Sequence, residues 1–402
     1  MQNQNKNRPI ILFVAEAVTL AHFARTITLA KSIDPNLYKI IVASDPRFIG
    51  LEGTLDFDFY PIRSISSEEF MQTLEQGKPL YSSETLFQYV NEDLLLFDSV
   101  KPDLVIGDFR LSLAVSAPVR KIPYISIVNA YWSPFSSTAY PVPDIPITRI
   151  LGVNVSQKLF DLVRPIVFAL HARPLNRVRQ HFGLPSLGFD LRKIYSWGDY
   201  TLYADVPELI PTFKLPENHR YIGPVLWSAH NKLPEWWTDL PEDKPIVFLI
   251  LGSSGQAELL PMVLESMSHL SVTVIVATAG KITLTDVPGN AYVTDYLPMD
   301  IATQRSQLVI CNGGSLTTYQ ALISSTPVIG LCSNMDQLIN MVAIEQLGCG
   351  FMLRATEATA TDLAAAVLNA PSCTQAVNRI SHTLKQTDSG KRFREIVAEI
   401  LL

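Results

Sequence analysis

Two places in the 402-residue sequence combine residue types that could do chemistry. In the first, His22 follows an apolar run, Ile10–Val14, and a short loop, where a helical pattern reaching Ile33 begins. Imidazole titrates near neutrality and suits general-base work. A helix N-terminus disfavours the imidazolium, which helps keep such a base neutral. Asp108 closes a second apolar run, Leu104-Val105-Ile106-Gly107. If both runs are parallel strands of one sheet, His22 and Asp108 share its carboxyl edge, where open α/β sheets build their ligand crevice. A carboxylate there can accept the other ring N–H, fix the tautomer and support the imidazolium. The plain alternatives are a surface histidine near a cap and an aspartate that caps the next helix, near Leu111.

The second place is Val309-Ile310-Cys311-Asn312-Gly313-Gly314-Ser315-Leu316-Thr317-Thr318. An apolar strand runs into a Gly-Gly turn, and a helix opens with hydroxyls in its first turn. Free backbone N–H groups and the positive end of the helix then point away from the sheet edge, which suits a phosphate or diphosphate. The plain alternative is a tight turn with a Ser N-cap.

The elements that must hold these residues follow from hydrophobic rhythm. Short runs rich in Ile and Val, Ile10–Val14, Ile40–Ala43, Leu104–Ile106 and Tyr124–Val128, read as strands buried on both faces. Helical patterns at His22–Ile33, Ser83–Ser99 and Leu111–Arg120 separate them. The rhythm restarts with strands Ile246–Leu251, Thr273–Ala277, Leu308–Cys311 and Val328–Leu331 and helices Ala257–Ser268, Leu316–Ile323 and Gln337–Gln346. Two successive βαβ series predict an α/β protein with two doubly wound parallel sheets. A Pro-rich break predicts a first domain over 1–225, a linker over 226–243 and a second domain over 244–385. The tail, 386–402, reads as an amphipathic helix. A loop from Ser133 to Pro146 is long for a compact domain, and such loops are often functional.

Several other motifs fail. Asp56-Phe57-Asp58 has the form of an Asp-x-Asp metal site but sits in an ordinary alternating run. Gly252-Ser253-Ser254-Gly255 misses the hydrolase elbow by one residue. Gly280-Lys281 lacks the earlier glycine of a P-loop. Cys311, Cys332, Cys349 and Cys373 match neither a zinc nor a disulfide spacing, which fits a reducing compartment. The net charge of −6 argues against a nucleic-acid partner. No apolar run is long enough to span a bilayer. A cytoplasmic protein is the expectation, with no metal and no cofactor.

In order along the chain, Tyr296-Leu297-Pro298-Met299, Asn312-Gly313-Gly314-Ser315 through Ala321, Ser325-Thr326-Pro327 and Asp336-Gln337 with Asn340 resemble the donor-binding signature of GT-B glycosyltransferases. The resemblance is to the UDP-glycosyltransferase superfamily that includes bacterial macrolide glycosyltransferases, and it covers the second half best. It implies two Rossmann-like domains facing a cleft, with the last helix packing back on the first domain. It implies an inverting, metal-independent transfer from a nucleotide-diphospho-sugar, with UDP or dTDP as the nucleotide. His22 would deprotonate the acceptor hydroxyl and Asp108 would support it. Tyr296 would stack on the base and Leu297 would meet the base edge. Asn312, Gly313, Gly314, Ser315 and Thr317 would hold the diphosphate, with Ser253 or Ser254 closing over it. Gln320 would face the ribose, and Asp336 and Gln337 the sugar. The family's usual His, Glu and Gln stand here as Asn312, Gln320 and Met299. An amide donates hydrogen bonds but cannot become cationic, so the anion must be held by oriented amides and hydroxyls.

Tyr131, Trp132, Phe135 and Tyr140 are predicted to line an apolar acceptor cleft beside His22, the alternative being core. Basic residues between 164 and 193, Arg164, Arg173, Arg177, Arg179, Arg192 and Lys193, interleave with apolar ones. They read either as a peripheral membrane contact or as the solvated face of connecting helices. A homodimer stays compatible with the pattern. The rival functions are a nucleotide-sugar epimerase and a non-catalytic homologue that activates a partner enzyme.

Overall fold

The structure is a computed structural model that describes residues 8–401 apart from His230, Ser253 and Ser254. Seven strands form the first sheet: β1 (Ile10–Ala15), β2 (Lys39–Ser44), β3 (Asp58–Pro61), β4 (Leu104–Asp108), β5 (Tyr124–Val128), β6 (Tyr200–Tyr203) and β7 (His219–Tyr221). Six form the second: β8 (Ile246–Ile250), β9 (Thr273–Ala277), β10 (Ala291–Thr294), β11 (Leu308–Cys311), β12 (Val328–Cys332) and β13 (Gly350–Arg354). All pairings are parallel, in the orders β3-β2-β1-β4-β5-β6-β7 and β10-β9-β8-β11-β12-β13. Strand order therefore reverses between β1 and β4 in one sheet and between β8 and β11 in the other. Those are the points where a crevice opens at the carboxyl edge.

The helices are α1 (Leu20–Ser32), α2 (Ser67–Glu75), α3 (Ser83–Val100), α4 (Leu113–Arg120), α5 (Pro146–Leu151), α6 (Val153–His181) and α7 (Leu191–Tyr195) around the first sheet. Around the second are α8 (Leu260–Ser268), α9 (Met299–Arg305), α10 (Ser315–Ile323), α11 (Met335–Gln346), α12 (Ala360–Asn369) and α13 (Thr374–Lys385). Helix α14 (Ser389–Leu401) crosses back to the first lobe. Its Phe393, Ile396 and Val397 are buried among Phe13, Phe23 and Ile27. Each such side chain contributes roughly 1.5–3 kcal/mol by leaving water. Arg220 and Glu399 clamp its outer face through two hydrogen bonds of 2.5 and 2.7 Å.

Local signals set the element ends. Ser82 caps α3 by accepting from Thr85 N–H at 3.0 Å, and Lys101 ends it in the left-handed region at φ 53°. Asn334 and Gln337 form a reciprocal capping box at α11. Strands β6, β7, β10 and β13 lie outside the expected set. The side chains of β7, β10 and most of β13 are only partly buried, so their apolar runs are weak. The 29-residue α6 also exceeds expectation. Pro165 and Pro174 lie inside it and read as breakers in the sequence, yet tertiary packing carries the helix through both.

Candidate functional site

His22 sits in the first turn of α1, and Asp108 is the last residue of β4, paired with Ala15 of β1. Crossing at the switch point, they meet with His22 Nδ1 2.7 Å from Asp108 Oδ1. Arg25, one turn further on the same face of α1, grips the carboxylate from the side. Its Nε donates to Oδ2 at 2.6 Å and its Nη2 to Oδ1 at 2.7 Å. Burial alone would push the Asp108 carboxyl up. The charges of Arg25 and then His22, with their hydrogen bonds, hold it below the usual carboxylate range. An ionised Asp108 accepts from Nδ1–H, which leaves Nε2 as the basic nitrogen. Phe109, in the left-handed region at φ 58°, lays its ring on His22, with centroids 4.7 Å apart and planes 6° from parallel. The imidazole is thus fixed by one carboxylate and one aromatic face.

The network continues into the second lobe. Arg25 Nη1 donates to Asn129 Oδ1 at 2.8 Å, and Asn129 Nδ2 donates to Asp205 Oδ1 at 3.1 Å. Asp205 also accepts from Tyr319 of α10 at 2.7 Å. Burial pushes the Asp205 carboxyl up, against the opposing pull of Tyr319, the Ala130 N–H and Asn129. Trp132 Nε1 adds a second bridge, donating to Asp336 of α11 at 2.8 Å.

Past β11 the chain makes the Gly-Gly turn. Asn312 Oδ1 accepts from Gly314 N–H at 3.1 Å, closing an Asx turn. Gly313 takes φ 82°, and a Cβ there would lie 2.6 Å from Cys332 Sγ and 2.7 Å from Met341 Cγ. Asn340 Nδ2 holds the turn from behind, donating to the Gly313 carbonyl at 2.8 Å and to Thr318 Oγ1 at 2.9 Å. The N-terminus of α10 then opens onto a cavity of about 970 Å³ that reaches His22, Arg25 and Asp108 on its other side. From the first lobe Phe70, Leu74, Phe160, Val163 and Phe168 make much of its wall apolar. One cavity thus joins a histidine–aspartate pair, a helix N-terminus and a large apolar chamber.

Residues 261–396 match the family "Erythromycin biosynthesis protein CIII-like, C-terminal domain". A PGL/p-HBAD biosynthesis glycosyltransferase of Mycobacterium tuberculosis (strain ATCC 25177 / H37Ra) is 51% identical over 388 residues, 96% of this chain and 87% of that protein. The chain belongs to this glycosyltransferase family. A PGL/p-HBAD biosynthesis rhamnosyltransferase of Mycobacterium bovis (strain BCG / Pasteur 1173P2) is 52% identical over 358 residues, 89% of this chain and 80% of its own. Among solved structures, spinosyn rhamnosyltransferase SpnG complexed with thymidine diphosphate superposes with a TM-score of 0.69 at 15% identity. The superposition covers 96% of this chain and 99% of that one, and it shows a shared GT-B fold of two parallel-sheet, Rossmann-like domains.

In this glycosyltransferase His22, Asp108, Trp132, Tyr296, Leu297, Asn312, Gly314, Ser315, Thr317, Asp336 and Gln337 all line the one cavity. Ser253 and Ser254 lie outside the described residues. Five placements differ from expectation. Gly313 stands behind the cavity wall, where it shapes the turn. Gln320 is buried within α10 and away from the cavity, because the helix turns that face toward the lobe's interior. Tyr131, Phe135 and Tyr140 do not line the cavity either. Tyr131 is fully buried, and the Tyr140 hydroxyl donates to its carbonyl at 2.8 Å. Phe135 packs edge-on against His219. The loop rolls its aromatics into the lobe and leaves only Trp132 facing the cavity. Gln337 reaches the cavity, but its Oε1 accepts from Ser333 N–H at 2.9 Å and serves the α11 cap.

Arg25, Asn129 and Phe109 also line the cavity, and none stood out in the sequence; Lys281, set aside there as a failed P-loop, lines it too. The only signal for Arg25 was its i+3 spacing from His22 on one helix face. The basic run at 164–193 divides in space. Arg179 is buried, donating to the Pro185 and Ala114 carbonyls, and Arg192 is spent on Asp190. Asp58 of the Asp-x-Asp pair is a surface partner of Lys39 at 3.2 Å. Among the described residues, no group of three or more His, Cys, Asp and Glu could hold a metal ion. None of their helices is long and apolar enough to cross a membrane.

Proposed function

We propose that this glycosyltransferase moves rhamnose, or a closely related sugar, from a nucleoside-diphosphate donor to a hydroxyl of an apolar acceptor, with inversion and without a metal ion. The observation that carries this is the single cavity joining Nε2 of a carboxylate-held His22 to the amide end of α10. His22 Nε2 takes the acceptor proton. The freed oxygen attacks the anomeric carbon from the side opposite the diphosphate, so the configuration inverts. Asp108 stabilises the imidazolium that forms. The departing diphosphate meets the N–H of Ser315 and the Thr317 hydroxyl, and the helix end supplies positive potential. Lys281 is one of the cations on the cavity wall. The rhamnosyltransferase named for one relative and the thymidine diphosphate bound in a structural neighbour support rhamnose and a thymidine diphosphate donor. The apolar chamber and the relatives' role in PGL/p-HBAD biosynthesis support an acceptor from that route.

The test is transfer from dTDP- and UDP-linked rhamnose and glucose to p-hydroxybenzoate esters of increasing alkyl length, with the product anomer assigned by NMR. Inversion, a preference for the longer esters and unchanged rates in EDTA are the expected results. Retention of configuration or loss of activity in EDTA overturns the corresponding part of the reading.

A further inference from the structure

Helix α6 is apolar on two faces. Phe160, Val163 and Val167 line the cavity. On its outer side Val155, Leu159, Leu162, Ile166 and Leu170 are exposed, Leu162 by 77% and Ile166 by 64%. Their spacing of four, three, four and four residues sets them on one stripe along the helix. Ile150 and Leu151 of α5, 80% and 43% exposed, extend it. A surface helix ordinarily turns a polar face to water, and an exposed apolar row of this length marks an interaction surface. Carried further along α6, the same spacing reaches Arg173 and Arg177, both exposed, and Lys158 flanks the row. Within 147–177 the one carboxylate is Asp161, and it pairs with Arg164 at 3.8 Å. The local charge is positive on a chain of net charge −6. Ile147 and Leu159 are both exposed and both line the cavity, so the outer stripe is continuous with the inner chamber.

We propose that the outer face of α5–α6 seats on an anionic lipid bilayer, with the apolar stripe at the headgroup–acyl boundary and Arg173 and Arg177 against lipid phosphates. The acceptor then enters the cavity from the bilayer, past Ile147 and Leu159. The docking rests on the stripe and its charge. Only the entry route rests on the apolar acceptor argued above. An apolar row buried in the interface with basic residues beside it is the arrangement that binds anionic membrane surfaces without crossing them.

The experiment is co-sedimentation of the full chain with vesicles of phosphatidylcholine alone and with phosphatidylglycerol added. The chain is expected to bind the anionic vesicles and to bind the neutral ones far more weakly. Leu162→Asp with Ile166→Asp is expected to weaken the binding at least tenfold, in line with the burial of two large apolar side chains. Arg173→Ala with Arg177→Ala is expected to weaken it roughly tenfold or more and to flatten its dependence on anionic lipid. Both pairs are expected to keep the wild-type rate on a short, water-soluble acceptor, which separates a docking defect from misfolding. Transfer to a long-chain acceptor held in anionic vesicles is expected to fall with each pair. Wild-type chain that ignores anionic vesicles, or variants that bind as well as wild type, overturn the docking. A dimer in sedimentation velocity that Leu162→Asp/Ile166→Asp dissociates, with no vesicle binding, assigns the face to a second copy and overturns it too. Vesicle binding with no advantage for the vesicle-held acceptor overturns the entry route alone. Failure of wild type on every soluble acceptor counts against the proposed function and leaves the docking result standing.

Discussion

At the scale of the residue, Arg25 decides what the His22–Asp108 pair is. It adds two hydrogen bonds to the one His22 makes with the carboxylate and keeps a buried charge paired. His22→Ala is expected to lower kcat by ~10²–10⁴-fold, the range of a lost general base, with donor binding unchanged in calorimetry. Arg25→Gln leaves Asp108 buried and short of its partner. A loss of about 3–5 kcal/mol in urea unfolding is expected, because breaking a buried pair from one side leaves a charge uncompensated. Asp108 also gives acid stability a sign. Its folded pKa lies below its unfolded value, so its stabilisation is complete above about pH 4 and drains away as pH falls through the depressed value. Unfolding free energies measured between pH 3 and 7 are expected to show a shallower acid loss in Asp108→Asn, on a lower neutral plateau.

At the scale of the element, the turn from β11 to α10 is where strain and packing set the geometry of the proposed anion site. Gly313 needs a positive φ, and its missing Cβ is the space that Cys332 and Met341 occupy. Gly313→Ala must move one of those side chains or the turn itself. A cost of roughly 1–3 kcal/mol is expected, together with weaker nucleoside diphosphate binding, because the Ser315 amide at the start of α10 shifts with the turn. Isothermal titration with dTDP and UDP reads the second effect directly. Cys311 is part of the same packing. It is buried behind the turn with its thiol pushed up to about 12 by burial, so it is a packed strand residue and not a nucleophile.

At the scale of the molecule, the two lobes are joined by polar contacts around the cleft as well as by the chain. Tyr319 reaches Asp205, Trp132 reaches Asp336, and Arg354 pairs with Asp144 at 2.6 Å. The first of these belongs to the chain of hydrogen bonds that ends on His22, so α10 and His22 share one framework. Tyr319→Phe removes one donor from a buried carboxylate. A loss of about 1–3 kcal/mol is expected. A fall in kcat larger than any change in donor KM is expected as well, since the residue lies off the cavity and acts through Asn129 and Arg25. Equal effects on kcat and stability with a Tyr319→Trp control would reduce its role to packing.

The βαβ rhythm, the Gly-Gly turn and the helix-start histidine were legible in the sequence because each is a local pattern. Buried parallel strands need continuous Ile and Val, a backbone that must bend past Cys332 needs glycine, and an imidazole beside a helix start is set by a few neighbours. That was enough for the fold class and for the two places the structure brings onto one cavity. Arg25 and Asp108 are 83 residues apart, and Tyr319 and Asp205 are 114 apart. No periodicity encodes such a meeting. The same holds for Tyr131, Phe135 and Tyr140, whose aromatic side chains suited a cleft or a core equally until the loop's path was known. It holds again for α6, whose sequence has two prolines and apolar residues on two faces. Hydrophobic pattern says which side chains leave water, and only the packed chain decides which neighbour or opening each of them meets.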